Sequence, residues 1–547
     1  MFLPKPRLLT FHALCVAALV LGACTSDDAG VDDAGDGDGD SESTDGAATS
    51  DGTGETGEEL SEIPALGIQI SAVEANQGTA VFIGSEGEWV DAAARLGPLI
   101  SNRNTLIRVH FTVDPGWVPR EIQAQLKITR SDGTTKTFAD TRMVAADSVP
   151  NTLTGGFYFG LVAEDGDVEA GTQFQVTLEE VDEASRDLAV GAGLLEGTWQ
   201  TPREPGDLGI QPEPLQLKVV FVPFHHKFGS IDRITDTSEA TIKLLTDAIY
   251  ETNPTHELIW SVHEPMTWEY EMNSLGAVMG PMSALRENEQ AFPNEYWAGL
   301  FPVPNGGVAG VAGIASVPGD GKGEGAQRVS VTALGNNPGG AANTVVHELG
   351  HTQGLAHVFC PFAEAASPDP AYPYQNGVIG QWGFGILSFQ LYSPESFYDY
   401  MTYCGPSWVS TWSWDRNFYR IRTLTSWEGM SVGGEDQKLI LIGSLASDGS
   451  EFWWTVRGSL PTQASPFGGT PQQLEFHAKG ELISTRPSVV HVLNDFSTTW
   501  VMTELPESLE RLEGIDTIVR VDSNQQAHPI AAQSVTLSAR PLTITAN

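Results

Sequence analysis

The strongest chemical pattern in the chain is Val346-His347-Glu348-Leu349-Gly350-His351-Thr352-Gln353-Gly354-Leu355-Ala356-His357. It fits H-E-x-x-H-x-x-G-x-x-H at every specified position. His347 and His351 are four apart, so on a helix their imidazoles leave one face and can share a metal ion, with Glu348 beside them. Gly354 can take a left-handed conformation, which would end the helix and turn the chain so that His357 approaches the same ion from another side. Three neutral nitrogens leave a coordination position open, as a catalytic zinc site requires, whereas a structural site is closed by four ligands. Glu348 is then the expected general base, taking a proton from attacking water and passing it to a leaving amine. Chance is a poor explanation in a chain with 12 histidines. A decayed site is disfavoured because no position of the motif is missing. The adjacent pair His225 and His226 has no such arrangement, since neighbours on a strand face opposite ways.

The elements that would position these residues can be read around them. A buried strand is expected over 215–222 and a helix over 237–249, where Ile242, Leu245 and Ile249 recur at helical spacing. Further strands are expected at 296–301, 311–317 and 328–332, before a second helix opens near Ala341. A closing helix carries the apolar stripe Trp414, Phe418, Ile421 and Leu424. Upstream, the alternating runs 105–113, 121–129 and 173–178, with a hairpin turn at 131–134, read as a β-sandwich ending in the Pro/Gly-rich segment 201–207. Downstream, short strands at 438–442, 452–456 and 534–537 read as a second all-β domain. No solenoid or propeller repeat is evident. The tryptophans at 408, 412, 414, 453 and 454 are expected in cores rather than as a sugar platform.

The zinc motif resembles that of the metzincin clan of zinc endopeptidases, and Tyr398-Asp399-Tyr400-Met401-Thr402-Tyr403-Cys404-Gly405 looks like its Met-turn. The resemblance covers about 215–430. It implies that Met401 forms an apolar floor beneath the metal and that Tyr403 leans towards it as an oxyanion donor, a catalytic role beside Glu348. It also implies that substrate adds as a strand along a sheet edge, for which 311–317, with its small residues, is the candidate. The expected fold class is multidomain α+β. A metzincin-like catalytic domain over 212–432, a twisted sheet plus the active-site helix, is flanked by all-β sandwich-like domains at 61–205 and 433–547. The layout is analogous to that of surface-attached bacterial enzymes with accessory β domains, some of which cut glycoproteins. No cysteine lies between Cys24 and Cys360, so an upstream propeptide cysteine switch is not available.

Composition bounds the rest. With 29 Lys+Arg against 70 Asp+Glu the net charge is -41, which excludes nucleic-acid binding through phosphate neutralisation. Lys5 and Arg7 precede a short apolar run, the pattern of an export signal over 1–23. Leu21-Gly22-Ala23-Cys24 resembles a bacterial lipobox, which makes Cys24 the expected lipidation site. The span 24–60 then reads as a lipidated cysteine and an acidic tether, with 13 acidic residues and no basic ones after Cys24. It lacks EF-hand spacing with a closing Glu, so no structural calcium is assigned. An outer-membrane or cell-surface location follows as an expectation.

Cys360 and Cys404 are the other cysteines of the exported chain and suggest a disulfide clamping the two segments that frame the metal. Zinc ligation by these thiols is the alternative, and it would close the catalytic position. The expected protein is a monomeric, membrane-anchored zinc endopeptidase acting on protein or glycoprotein substrates, with one catalytic zinc. The alternatives are a non-catalytic surface adhesin that retains a zinc site and a zinc hydrolase of a non-peptide amide.

Overall fold

A computed structural model describes residues 60–195, 204–303, 307–335, 338–363, 367–430, 438–509 and 511–538. The export signal, Cys24 and nearly all of the tether lie outside the described residues. No helix among the described residues is long and apolar enough to cross a membrane. The chain is β-rich, with several sheets and few helices.

Alternation of apolar and polar residues builds the first unit. One antiparallel sheet joins Ile63–Pro64, Gln173–Glu180, Arg120–Thr129 and Thr135–Val144. A second joins Glu88–Trp89, Ala80–Ser85, Ile68–Asn76, Thr105–Val113 and Phe157–Leu161. Their inward residues, including Ile70, Ile107, Ile122, Phe138 and Phe157, form one core, so the two sheets make a sandwich. The expected turn at 131–134 closes with Arg130 N–H on the Thr134 carbonyl at 2.8 Å and Gly133 at φ 85°. Strand pairing runs past the linker-like residues: Gly206–Asp207 pairs with Gln173–Glu180, and Ile210–Gln211 pairs with Leu99–Ile100.

The middle of the chain forms a mixed seven-stranded sheet. Gln216–Phe228, Glu295–Pro302 and Val329–Leu334 run parallel, and the short strand Gly313–Ala315 closes one edge antiparallel to the last of them. The expected strand over 311–317 is thus shorter, because Val311 turns back to bridge Val308. The helices Glu239–Thr252 and Pro338–Thr352 pack against the sheet, with Ile242, Leu245, Ile249, Val345, Val346 and Leu349 in one core. Ser238 caps the first of these helices through the Thr241 N–H. The closing helix is Thr411–Thr425, and Trp408, Trp412 and Trp414 are buried around it.

A helix that the sequence reading passed over, Gly276–Asn288, carries Val278, Met279 and Met282 into a core shared with Ile440, Trp454 and Trp500. Its glycines and internal Pro281 weaken the usual helical signal. It docks the last unit, two antiparallel four-stranded sheets: Glu451–Gly458, Lys438–Ala446, Thr498–Leu505 and Val489–Val492, then Glu481–Pro487, Gln473–Ala478, Thr517–Val521 and Ala527–Ala531. Within this unit the expected strand at 534–537 is instead a 3-10 turn, Ala532–Ser534, followed by a single bridge from Thr536 to Trp454. Backbone N–H groups there pair too briefly to extend a ladder.

Candidate metal centre

The helix Pro338–Thr352 ends as its sequence dictates. Gly354 takes φ 94°, its N–H bonds the His351 carbonyl at 2.8 Å, and the Leu355 N–H bonds the Gly350 carbonyl at 3.0 Å. This pair of bonds is a Schellman cap, which needs a residue able to enter the left-handed region. The turn brings His357 back to the two histidines on the helix.

The three imidazoles converge and are buried, at 8%, 0% and 0% exposure for His347, His351 and His357. His351 Nε2 lies 3.1 Å from His347 Nε2 and 3.2 Å from His357 Nε2. His347 Nδ1 donates to the Tyr400 carbonyl at 2.7 Å and His351 Nδ1 donates to the Leu355 carbonyl at 2.8 Å. In a neutral imidazole a protonated Nδ1 leaves Nε2 with a lone pair. Burial favours the neutral form: desolvation lowers the His347 pKa to about 4 and lowers that of His351, where the neighbouring histidines add to the effect. Lone pairs of His347 and His351 facing each other at 3.1 Å repel unless a cation lies between them. The buried triad is therefore a donor set that could hold a metal ion.

Glu348 is 3% exposed. Burial raises its carboxyl well above the usual range, opposed by a hydrogen bond from Asn494, while the Asp495 charge adds to the rise. Gly313 lies against it, since a Cβ at that position would collide with the Glu348 side chain. Beneath the helix, Met401 is fully buried, and a Cβ on Gly350 would collide with its sulfur and with the Tyr400 ring. That contact explains the glycine between the first two histidines. Asp399 Oδ1 accepts the Met401 N–H at 2.8 Å, and the Met401 carbonyl accepts the Val358 N–H at 2.9 Å. A disulfide joins Cys360 to Cys404, so two ties connect the segment after His357 to the segment around Met401.

Tyr403 stacks on His347 with ring centroids 5.6 Å apart and meets His357 edge-on at 4.7 Å. Desolvation, followed by the charges of Glu348 and Asp495, raises its pKa, so the phenol keeps its proton. A cleft of about 550 Å³ opens here between the strand edge at Val311 and Gly313, the helix at Asn343, and Tyr403 and Pro406. His225 and His226 stay apart from this centre, bonded to Asp232 and to the Tyr270 carbonyl.

The site residues absent from the sequence reading come from the C-terminal sheets. Phe467 packs its ring 5.7 Å from His351 and 5.2 Å from His357. Asn494 and Asp495 enter from the turn between Val489–Val492 and Thr498–Leu505. In sequence they read as ordinary turn residues, and only the packing of a distant sheet reveals them.

No family model and no curated protein matches this chain. Among solved structures, a calcium-binding mutant of Bacteroides uniformis beta-glucuronidase 2 is similar at 11% identity and a TM-score of 0.11, over 45% of this chain and 24% of that one. The same glucuronidase covalently bound to cyclophellitol-6-carboxylate aziridine is similar at 9% identity and a TM-score of 0.14, over 86% and 61%. The chain thus spans between a quarter and about three-fifths of the length of these structures. At such TM-scores neither likeness bears on the chemistry, which rests on the three histidines, Glu348 and the cleft beside them.

Proposed function

We propose that the protein is a zinc-dependent endopeptidase of the metzincin type, hydrolysing peptide bonds of extracellular or surface proteins, glycoproteins among them. The convergence of three buried imidazoles, with Glu348 beside them in a cleft bounded by a strand edge, carries this reading. Zinc suits the donor set. Tetrahedral ligation at about 2.0–2.1 Å sets two nitrogens roughly 3.3 Å apart, against 3.1 and 3.2 Å here. His347, His351 and His357 would hold the ion.

When bound there, zinc supplies Lewis-acid polarisation of the substrate carbonyl and a lowered pKa for the attacking water. Glu348 takes the proton of that water as its oxygen attacks the carbonyl carbon, and returns it to the amine as the C–N bond breaks. The Tyr403 phenol donates a hydrogen bond to the developing oxyanion. Ala312 accepts from Ala333 N–H and Ser316 donates to the Val329 carbonyl, both inward. By alternation Gly313 turns its own N–H and C=O outward, where an extended substrate can pair. Met401 packs without a polar role.

The test incubates the zinc-loaded protein and its Glu348→Ala variant with a glycoprotein-rich mixture and maps new protein N-termini by mass spectrometry. New termini with the unmodified protein alone support the reading. No new termini from either, with one zinc bound to each, overturns it in favour of a binding protein. We further propose export and lipid anchoring at Cys24. Radiolabelled fatty acid should enter the wild-type chain and not a Cys24→Ala variant.

A further inference from the structure

We infer that Asn494, supplied by the C-terminal sheets, is a positioning residue for Glu348. The inference rests on the reading of Glu348 as the base of a metal-dependent hydrolase. Asn494 is 1% exposed and makes two hydrogen bonds to parts of the chain more than a hundred residues away. Its Oδ1 accepts the Ala315 backbone N–H at 2.8 Å. A backbone N–H can only donate, so this bond fixes which end of the amide is oxygen. The other end, Nδ2, must then face Glu348, and it donates to Oε2 at 2.9 Å.

On its other side the Glu348 carboxylate lies against Gly313 at the rim of the cleft. A Cβ on Gly313 would run into Glu348 Oε1 and its Cγ, so the glycine is the space in which that side chain lies. Glu348 is held between Gly313 on the strand edge and the Asn494 amide, and both contacts involve one strand, Gly313–Ala315. Asn494 itself sits on a braced turn: Leu493 N–H bonds the Thr498 carbonyl at 2.9 Å, and Ser497 N–H bonds Asp495 at 3.0 Å. That turn belongs to the sheet docked on helix Gly276–Asn288, where Trp454 Nε1 donates to Ser283 at 3.2 Å.

The choice of amide has a chemical reason. An Arg or Lys in this place could donate to the carboxylate but could not accept the Ala315 N–H, because neither side chain carries an acceptor. A neutral donor orients one oxygen and leaves the other to meet water or substrate. By holding Ala315 N–H as well, the same amide sets the distance between the base and the edge on which a substrate would lie. Misplacing a catalytic group by an ångström costs on the order of 100-fold in rate.

The experiment compares wild type, Asn494→Ala and Asn494→Asp, each loaded with zinc. Asn494→Asp preserves volume and the bond from Ala315 while setting a carboxyl group against Glu348, so it perturbs the base through like-charge repulsion or a shared proton even if the alanine variant fails to fold. Two quantities are read: peptide hydrolysis, resolved into kcat and KM, and the Kd for acetohydroxamate, a bidentate chelator whose hydroxyl proton a carboxylate beside the metal can accept. Expected are a kcat lower by about 10- to 100-fold with KM within about twofold, and an acetohydroxamate Kd raised about fivefold or more, at unchanged zinc content and with the variant still folded at the assay temperature, its melting temperature lowered by the lost buried hydrogen bonds. Wild-type values in both variants overturn the inference, as do losses that merely follow lost zinc or lost fold. If the wild type binds acetohydroxamate but cleaves no peptide, the endopeptidase reading fails and the Kd comparison alone decides the role of Asn494. If zinc-loaded wild type does not bind acetohydroxamate, both fall.

Discussion

His347 Nδ1 sits 2.7 Å from the carbonyl oxygen of Tyr400, the residue before Met401. One bond therefore ties the first histidine of the helix to the segment that floors the site, and it fixes the tautomer that frees Nε2. Residues 399–401 serve as a bracket: Asp399 holds the Met401 N–H, Tyr400 holds His347, and Met401 holds Val358.

His351 lies between the other two histidines, so His351→Ala should remove stoichiometric zinc binding rather than weaken it modestly. Zinc analysis after dialysis measures this directly. In the wild type, saturating zinc at 100 times its Kd should stabilise the fold by about 2.7 kcal/mol. A chelator should reverse the gain, seen as a lower Tm.

Gly350→Ala decides between propensity and packing. In an exposed helix the change stabilises by about 0.5–1 kcal/mol. Here the added Cβ meets Met401 and Tyr400, and overpacking of this kind costs about 1–3 kcal/mol. Net destabilisation with weaker zinc binding is expected from thermal melts and metal titration. Stabilisation with unchanged affinity would contradict the packing described.

The Cys360 to Cys404 bridge closes a span of 44 residues, worth about 4 kcal/mol in the chain-entropy model. Cys360→Ser with Cys404→Ser should lower the denaturation midpoint accordingly. Zinc should remain bound at 25 °C, because neither sulfur belongs to the histidine cluster. Loss of zinc in the folded double variant would instead favour thiol ligation.

Asp399 is fully buried, and desolvation raises its carboxyl above the ordinary aspartate range, against the bonds it accepts from Ser410, Ser413 and Met401. A folded pKa above the unfolded one means that the native state binds the proton more tightly. The stability contributed by this group is present below the unfolded pKa and is lost as pH rises through the folded pKa. In metal-free protein the Tm of wild type relative to Asp399→Asn should fall as pH rises from about 4 towards 7. A relative rise would contradict the assignment.

The histidines, Glu348 and the Gly354 turn were legible because each lies within twelve residues of the others and local helix geometry alone brings them together. The parallel strands were legible as apolar runs, and the cysteine pair as the two thiols that lie outside the N-terminal segment. Helix Gly276–Asn288 was hidden by its own glycines and proline. Asn494 and Phe467 were hidden for a different reason: their partners are more than a hundred residues distant, and nothing at their own positions departs from an ordinary turn.

That distance sets an order of assembly. When synthesis has reached residue 360, the three histidines are present, but the amide beside Glu348 and the ring over His351 and His357 are not. Phe467 is supplied by the segment before Gln473–Ala478, and Asn494 by the turn before Thr498–Leu505, the strand that pairs with Lys438–Ala446. A chain interrupted before that strand would carry the ligands without the finished cleft. The metal ligands and the groups that finish the cleft around them are thus encoded in separate stretches of the chain and can be lost independently.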